Sequence, residues 1–213
     1  MTDCLKITAD NIATAAGVLA NGGLVAFPTE TVYGLGANAC DGDAVAAIFA
    51  AKQRPSFNPL IVHFADLDTL KQHVHWTPEA ELLAQAYWPG PLTLVLRKQP
   101  DSPISELVSA GLDTIAVRLP AHDSARAILR SFGGGVAAPS ANRSGQISPT
   151  TAQHVIDSLG ARVDAILDGG PCKVGVESTI VGLTDKPVLL RPGGITEKEL
   201  AQTLGRHLAV RHK

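Results

Sequence analysis

The sequence predicts an α/β protein organised on a mixed, twisted sheet with helices packed around it. Segments of helical periodicity intermix with strand-like runs along the whole chain, which is the pattern of that class. Residues 24–27 (Leu-Val-Ala-Phe) and 60–64 (Leu-Ile-Val-His-Phe) are short runs, almost wholly apolar, as expected of strands covered on both faces. Residues 178–183 and 188–191 flank Asp185-Lys186-Pro187 as an antiparallel pair, so the sheet is not wholly parallel.

Taken in order, residues 8–21 form the first expected helix, with Thr8 as N-cap and Ile12, Ala15, Ala16 and Leu19 on one face. Gly22-Gly23 ends it, and the strand 24–27 is closed by Pro28. Residues 29–36 read as irregular. A second helix is expected over 43–52, with Val45, Ile48 and Phe49 inward, before the strand 60–64. Residues 66–74 and 77–87 are two more helices, the second with Pro78 in its first position after Thr77. Trp88-Pro89-Gly90-Pro91 turns the chain into a strand over 92–97. A strand over 114–119, a helix over 122–132 and a short strand over 136–138 follow, with Gly133-Gly134-Gly135 between the last two. Thr150 is expected to cap a helix running to 159, followed by a strand over 165–167. Thr196 and Glu199 make a capping box for the last helix.

Composition sets the outer bounds. With 213 residues, 45% hydrophobic and 18% charged, residues 1–213 are expected to form one domain with ample core. The formal net charge of −2 argues against a general nucleic-acid binder, though a local basic cleft remains open. No apolar run approaches a membrane span, and Asp3, Lys6 and Asp10 interrupt any signal-like segment. Cys4, Cys40 and Cys172 form no close pair, so neither a disulfide frame nor a zinc site is indicated. A cytoplasmic protein is expected. The basic end, 206–213, reads as a frayed, solvated tail.

The stretch that stands out is 52–63, where Lys52 and Arg54 sit between the end of a helix and a core strand, with Pro55 and Pro59 fixing the turn. Cations at such a corner suit a polyphosphate. They suit a helix C-terminus complementing its dipole equally well. Gly34-Leu35-Gly36-Ala37-Asn38-Ala39 imitates a dinucleotide fingerprint, but it lies too far from the preceding strand and lacks the later acid, so it is set aside. Polar residues gather near strand ends: His63, Arg118 after Ile115-Ala116-Val117, and Ser140 after Val136-Ala137-Ala138-Pro139. Any one alone reads best as a structural group with a buried partner. Together they fit ligand binding at the carboxyl ends of strands, where an arginine can grip a carboxylate at two points.

The same residues carry a family resemblance. Residues 27–36 (Phe-Pro-Thr-Glu-Thr-Val-Tyr-Gly-Leu-Gly), Lys52-Gln53-Arg54-Pro55, residues 58–63, residues 88–93, Val117-Arg118-Leu119-Pro120, Pro139-Ser140-Ala141-Asn142, Glu177-Ser178-Thr179-Ile180 and Arg191-Pro192-Gly193 occur in the order seen in the YrdC-like family. That family is the threonylcarbamoyl-AMP synthases, which make the activated intermediate for threonylcarbamoyl-adenosine in tRNA. The resemblance covers nearly the whole chain and is nearest to the single-domain form, without the C-terminal domain that closes the site in longer members.

What it implies is a reaction of L-threonine, bicarbonate and ATP giving L-threonylcarbamoyl-AMP and pyrophosphate, with Mg2+ arriving on the nucleotide. The intermediate would pass to a tRNA threonylcarbamoyl-transferase complex. The family's Lys-x-Arg and Ser-x-Asn group falls on Lys52, Arg54, Ser140 and Asn142 as the catalytic set. ATP would meet Arg54, Asn58, Thr114, Ser140, Ser148 and Arg191; threonine would meet Thr31, His63, Arg118, the backbone at Ala138, and Ser178. Two rivals stand beside this reading: an RNA-binding module using the same cleft, and a diverged relative acting on another substrate.

Overall fold

Each α-helix among the described residues starts where a polar side chain takes up a free backbone N–H. Helix α1 (Ala9–Ala20) starts at Thr8, whose hydroxyl accepts from Asn11 N–H, as expected. Asp41 caps α2 (Gly42–Lys52), Asp66 caps α3 (Leu67–Lys71) and Thr77 caps α4 (Pro78–Tyr87). Ser105 caps α5 (Glu106–Ser109), a short helix not foreseen in the sequence, and His122 caps α6 (Asp123–Phe132). Helix α7 (Ala152–Leu159) is capped by Thr151 rather than Thr150, because it is the Thr151 hydroxyl that receives His154 N–H. Helix α8 (Glu197–Leu204) has the predicted capping box, complete in both directions.

The structure is a computed structural model and describes residues 3–210. Its strands are β1 (Asp3–Lys6), β2 (Val25–Pro28), β3 (Tyr33–Asn38), β4 (Ile61–His63), β5 (Leu92–Arg97), β6 (Thr114–Arg118), β7 (Val136–Ala137), β8 (Ala165–Asp168), β9 (Thr179–Gly182), β10 (Val188–Arg191) and β11 (Ala209–Val210). They form one sheet in the order β1-β8-β2-β3-β7-β4-β6-β5-β9-β10-β11. The sheet is mixed, as predicted: β4–β6 and β5–β9 are parallel, whereas β2–β3, β3–β7 and β7–β4 are antiparallel. Strand β2 shows why both faces are covered. Its Val25 and Phe27 enter one apolar cluster with α1 and α6, while Ala26, with Leu24 just before the strand, enters the other with α2.

Residues 29–36 differ from expectation. The irregular part is only the turn, held by Thr29 Oγ1 donating to the Val32 carbonyl at 2.6 Å, and β3 begins at Tyr33. Two glycines hid this strand, and the packing explains them. A Cβ on Gly36 would lie 2.7 Å from Phe27 Cε1, and one on Gly34 would lie 3.3 Å from Ala138 Cβ.

Strand β7 has two residues, yet its continuation keeps pairing on both sides. Ala138 N–H donates to the Ile61 carbonyl at 2.9 Å, Leu35 N–H to Pro139 O at 2.7 Å, and Ala141 N–H to Tyr33 O at 2.8 Å. The C-terminal stretch is also more ordered than a frayed tail as far as it is described. Leu208 is buried and Ala209–Val210 pairs with β10, whereas residues 211–213 lie outside the described residues.

Candidate functional site

The register of β4 on β6 sets His63 beside Arg118 at the carboxyl ends of two parallel strands. A cavity of about 300 Å³ opens there. Its walls come from the β2–β3 turn, the corner at Arg54, the 138–140 segment, and the chain around Glu177, Ser178 and Arg191.

Arg118 is buried, and its nearest partner is internal. Nε donates to Gly90 O at 3.1 Å, Nη1 to Thr31 Oγ1 at 3.1 Å, and Nη2 pairs with Glu30. Glu30 is oriented in turn by the N–H groups of Ala121 at 2.9 Å and His122 at 3.3 Å. A guanidinium has five N–H groups, so each terminal nitrogen keeps one for a ligand. The reading of Arg118 as a structural group with a buried partner is met by Glu30, which fixes the plane of the guanidinium, and Arg118 also lines the cavity. His63 is buried beside it. Burial, and after it the Arg118 charge, lowers the His63 pKa to about 3, opposed by the carbonyls of Ile61 and Val136.

A second group of charges stands across the cavity. Arg191 donates to Ser178 O through Nε at 3.1 Å and through Nη2 at 2.9 Å, and to Ser178 Oγ at 3.0 Å; its Nη1 pairs with Glu177. Ser148 Oγ donates to the other Glu177 oxygen at 2.8 Å. Arg54 is held from behind by Pro59 O at 3.2 Å and, more weakly, by Asn58 O at 3.4 Å. Burial lowers the pKa of Arg54; Glu177 opposes this and Arg191 adds to it.

Lys52 departs from the expectation of a cation at the corner free to meet a polyphosphate. Its side chain is only 1% exposed, and the ammonium donates to the backbone carbonyls of Ser140 and Asn142. Burial, then Arg54, lowers its pKa to about 8, against the pull of Glu177. Asn142 is likewise buried and turned inward, donating to Arg143 O at 2.9 Å and Gln146 O at 2.8 Å.

Of the residues singled out in the sequence, Thr31, Arg54, His63, Arg118, Ala138, Ser140, Ser178 and Arg191 line the cavity together. Lys52, Asn58, Asn142 and Ser148 stand behind that lining and each bonds a residue in it, Asn142 through its backbone N–H to Ser140 O at 3.0 Å. Thr114 is not in the lining. It borders a neighbouring depression that shares Val95 and Leu190 with the cavity, on the β6 face that also presents Ala116 and Arg118. Glu30 and Glu177 were not singled out in the sequence as members of the site. Their signal was adjacency: each directly precedes a predicted threonine contact, Thr31 and Ser178.

Comparison with known proteins gives the family. The Sua5/YciO/YrdC family model, described as "Telomere recombination", matches residues 17–193. The chain is 51% identical over 207 residues to the threonylcarbamoyl-AMP synthase of Bacillus subtilis, covering 96% of this chain and 60% of that protein. It is also 51% identical over 196 residues to the threonylcarbamoyl-AMP synthase of Pyrococcus abyssi, covering 91% of this chain and 57% of that protein. The crystal structure of P. abyssi Sua5 complexed with L-threonine superposes with a TM-score of 0.93 at 46% identity, over 99% of this chain and 62% of that one. The chain thus spans roughly 57–60% of the length of these curated relatives.

Proposed function

The chain belongs to the Sua5/YciO/YrdC family, and from that premise we propose that it makes L-threonylcarbamoyl-AMP from L-threonine, bicarbonate and ATP. The observation that carries the reading is the convergence of Arg54, Arg118 and Arg191 on one cavity beside a histidine kept neutral. The reaction gathers three anions: the threonine carboxylate, the carbamate and the triphosphate. Bringing like charges within bonding distance is the main obstacle, so fixed cations and alignment supply most of the catalysis.

Threonine is assigned to Arg118, Thr31, His63, Ser178 and the backbone at Ala138, and ATP to Arg54, Asn58, Thr114, Ser140, Ser148 and Arg191. The remaining N–H groups of Arg118 are assigned to the carboxylate, for a two-point grip. A neutral imidazole at His63 adds no third positive charge near the threonine ammonium, which must lose a proton before it can react. The amine and bicarbonate then give the carbamate and water. A carbamate oxygen attacks the α-phosphorus, the bond to the β-phosphate breaks, and pyrophosphate leaves near Arg54 and Arg191. Lys52 and Asn142 act by holding the 140–146 segment rather than by touching the nucleotide. Magnesium is assigned to the nucleotide as part of the substrate, because it usually binds through substrate phosphates rather than an all-protein cage.

The product is a mixed anhydride, and its consumer is proposed to be a tRNA threonylcarbamoyl-transferase complex. No helix among the described residues is long and apolar enough to cross a membrane, and a cytoplasmic site of action is proposed. The test is pyrophosphate release with ATP, bicarbonate and single amino acids. Release that depends on both threonine and bicarbonate supports the reading, and release indifferent to either one defeats it.

A further inference from the structure

The cavity assigned to a triphosphate already contains a carboxylate. Glu177 is the one acid in the lining among the described residues. One of its oxygens accepts from Ser148 Oγ at 2.8 Å and the other pairs with Arg191. These two donors are among those assigned to ATP. Its charge also favours the protonated forms of Lys52, Arg54 and Arg191.

The second acid of the site behaves differently. Glu30 has an 11% exposed side chain and is tied down by two backbone N–H groups as well as by Arg118. Glu177 receives only side-chain donors, and it and Arg191 are 35% and 33% exposed. The Glu177–Arg191 pair can therefore open into water without disturbing backbone structure. Arg191 would stay aimed when it does so, because Ser178 O and Oγ hold it independently.

We infer that Glu177 is a displaceable counter-anion, occupying the Ser148 and Arg191 donors in the empty site and giving them up to an incoming phosphate. The inference rests on the nucleotide reading of the cavity and adds an exchange to it. A carboxylate oxygen leaves and a phosphate oxygen takes over the same N–H and O–H groups. In the empty site the carboxylate keeps Arg54 and Arg191 from facing each other uncompensated. When ligand binds, it lowers affinity, since its own contacts must first be broken.

Metal-free inorganic tripolyphosphate, titrated calorimetrically into the wild type, Glu177→Gln and Glu177→Asp, tests this. Glu177→Gln should bind about tenfold more tightly, the equivalent of one charged hydrogen bond no longer broken on binding. Glu177→Asp keeps the charge but is too short to span both donors, so it should fall between the two. Equal or weaker binding by Glu177→Gln would overturn the inference, and so would no binding by any of the three. An aspartate variant matching the wild type beside a tight glutamine variant would also overturn it, since the charge alone would then account for the effect. Pyrophosphate release by the wild type judges the nucleotide reading separately. Turnover without tighter binding by Glu177→Gln removes only the counter-anion.

Discussion

Lys52 and Ser140 are 88 residues apart in sequence, and the ammonium of the first donates to the backbone carbonyl of the second. The same ammonium reaches the Asn142 carbonyl, and Ser144 N–H returns to Lys52 O at 2.8 Å. The end of α2 thereby straps down the segment that carries Ser140 into the cavity.

Replacing the strap has a structural consequence. Lys52→Met keeps the apolar stem but leaves the buried Asn142 carbonyl without a donor and the Ser140 carbonyl with Asn142 N–H alone, so it should lower unfolding free energy by about 1–3 kcal/mol. Turnover should fall with it, because Ser140 loses its support. Urea unfolding is the measurement, and a midpoint equal to wild type would show that the strap bears no weight.

The same lysine predicts a pH effect. Its pKa in the folded chain is about 8, whereas in the unfolded chain it stays in the ordinary lysine range near ~10.4. Between these values the unfolded state holds a proton that the folded state has released, so this group makes stability rise with pH. The stability gap between wild type and Lys52→Met should therefore widen from about pH 8 to 10. A gap that stays flat or narrows would contradict the burial of the ammonium.

His63 works in the acid range. Its pKa is lowered to about 3, so its contribution to stability is complete above the ordinary histidine value of ~6.5 and is lost as pH falls from there towards 3. Its ring-carbon NMR resonance should not move between about pH 5 and 8. A titration midpoint in that interval would mean that the imidazole is solvated.

Arg118→Lys separates the two edges of the guanidinium. A lysine keeps the charge beside Glu30 but loses the planar fork, so threonine affinity should drop by about 1.5–3 kcal/mol. ATP affinity measured without threonine should remain near wild type. Calorimetry on both ligands decides it, and an unchanged threonine affinity would leave Arg118 as a partner of Glu30 alone.

Amino-acid choice follows from the apolar side of the cavity, where Val32, Ile61 and Ala116 lie close to the polar contacts. Serine lacks the methyl group and should be used roughly ten- to a hundredfold less well than threonine. Valine lacks the hydroxyl and should be worse. Comparable kcat/KM for valine and threonine would exclude a polar contact to that hydroxyl.

Elements with a strong local code were legible in the sequence. Strand β5 falls on the predicted residues, and α8 has its capping box, because alternation and side-chain caps act within a few residues. Strands β1 and β11 were not foreseen. They are edge pieces with mostly exposed residues, so their sequences carry little apolar pattern. At the site, His63, Arg118 and Ser140 could be picked out because polar residues at the ends of apolar strands stand out. The burial of Lys52 could not, since its two acceptors lie on a remote segment. The part taken by Glu177 was hidden for a similar reason: only the fold brings Ser148 and Arg191 to one carboxylate.

Ser140 follows directly from the short central strand, and the pairing of residues 138–141 with Ile61, Leu35 and Tyr33 makes it part of the sheet's midline. The protein consequently has two kinds of position at which sequence change can act. A substitution that frees the midline loses the fold and the site at once, so it offers no route to a new specificity. Arg54 and Glu177, with Ser148 behind the latter, hang from non-helical, non-strand segments around the same cavity. Divergence toward another anion would have to be written there, in side chains that the scaffold can exchange without being rebuilt.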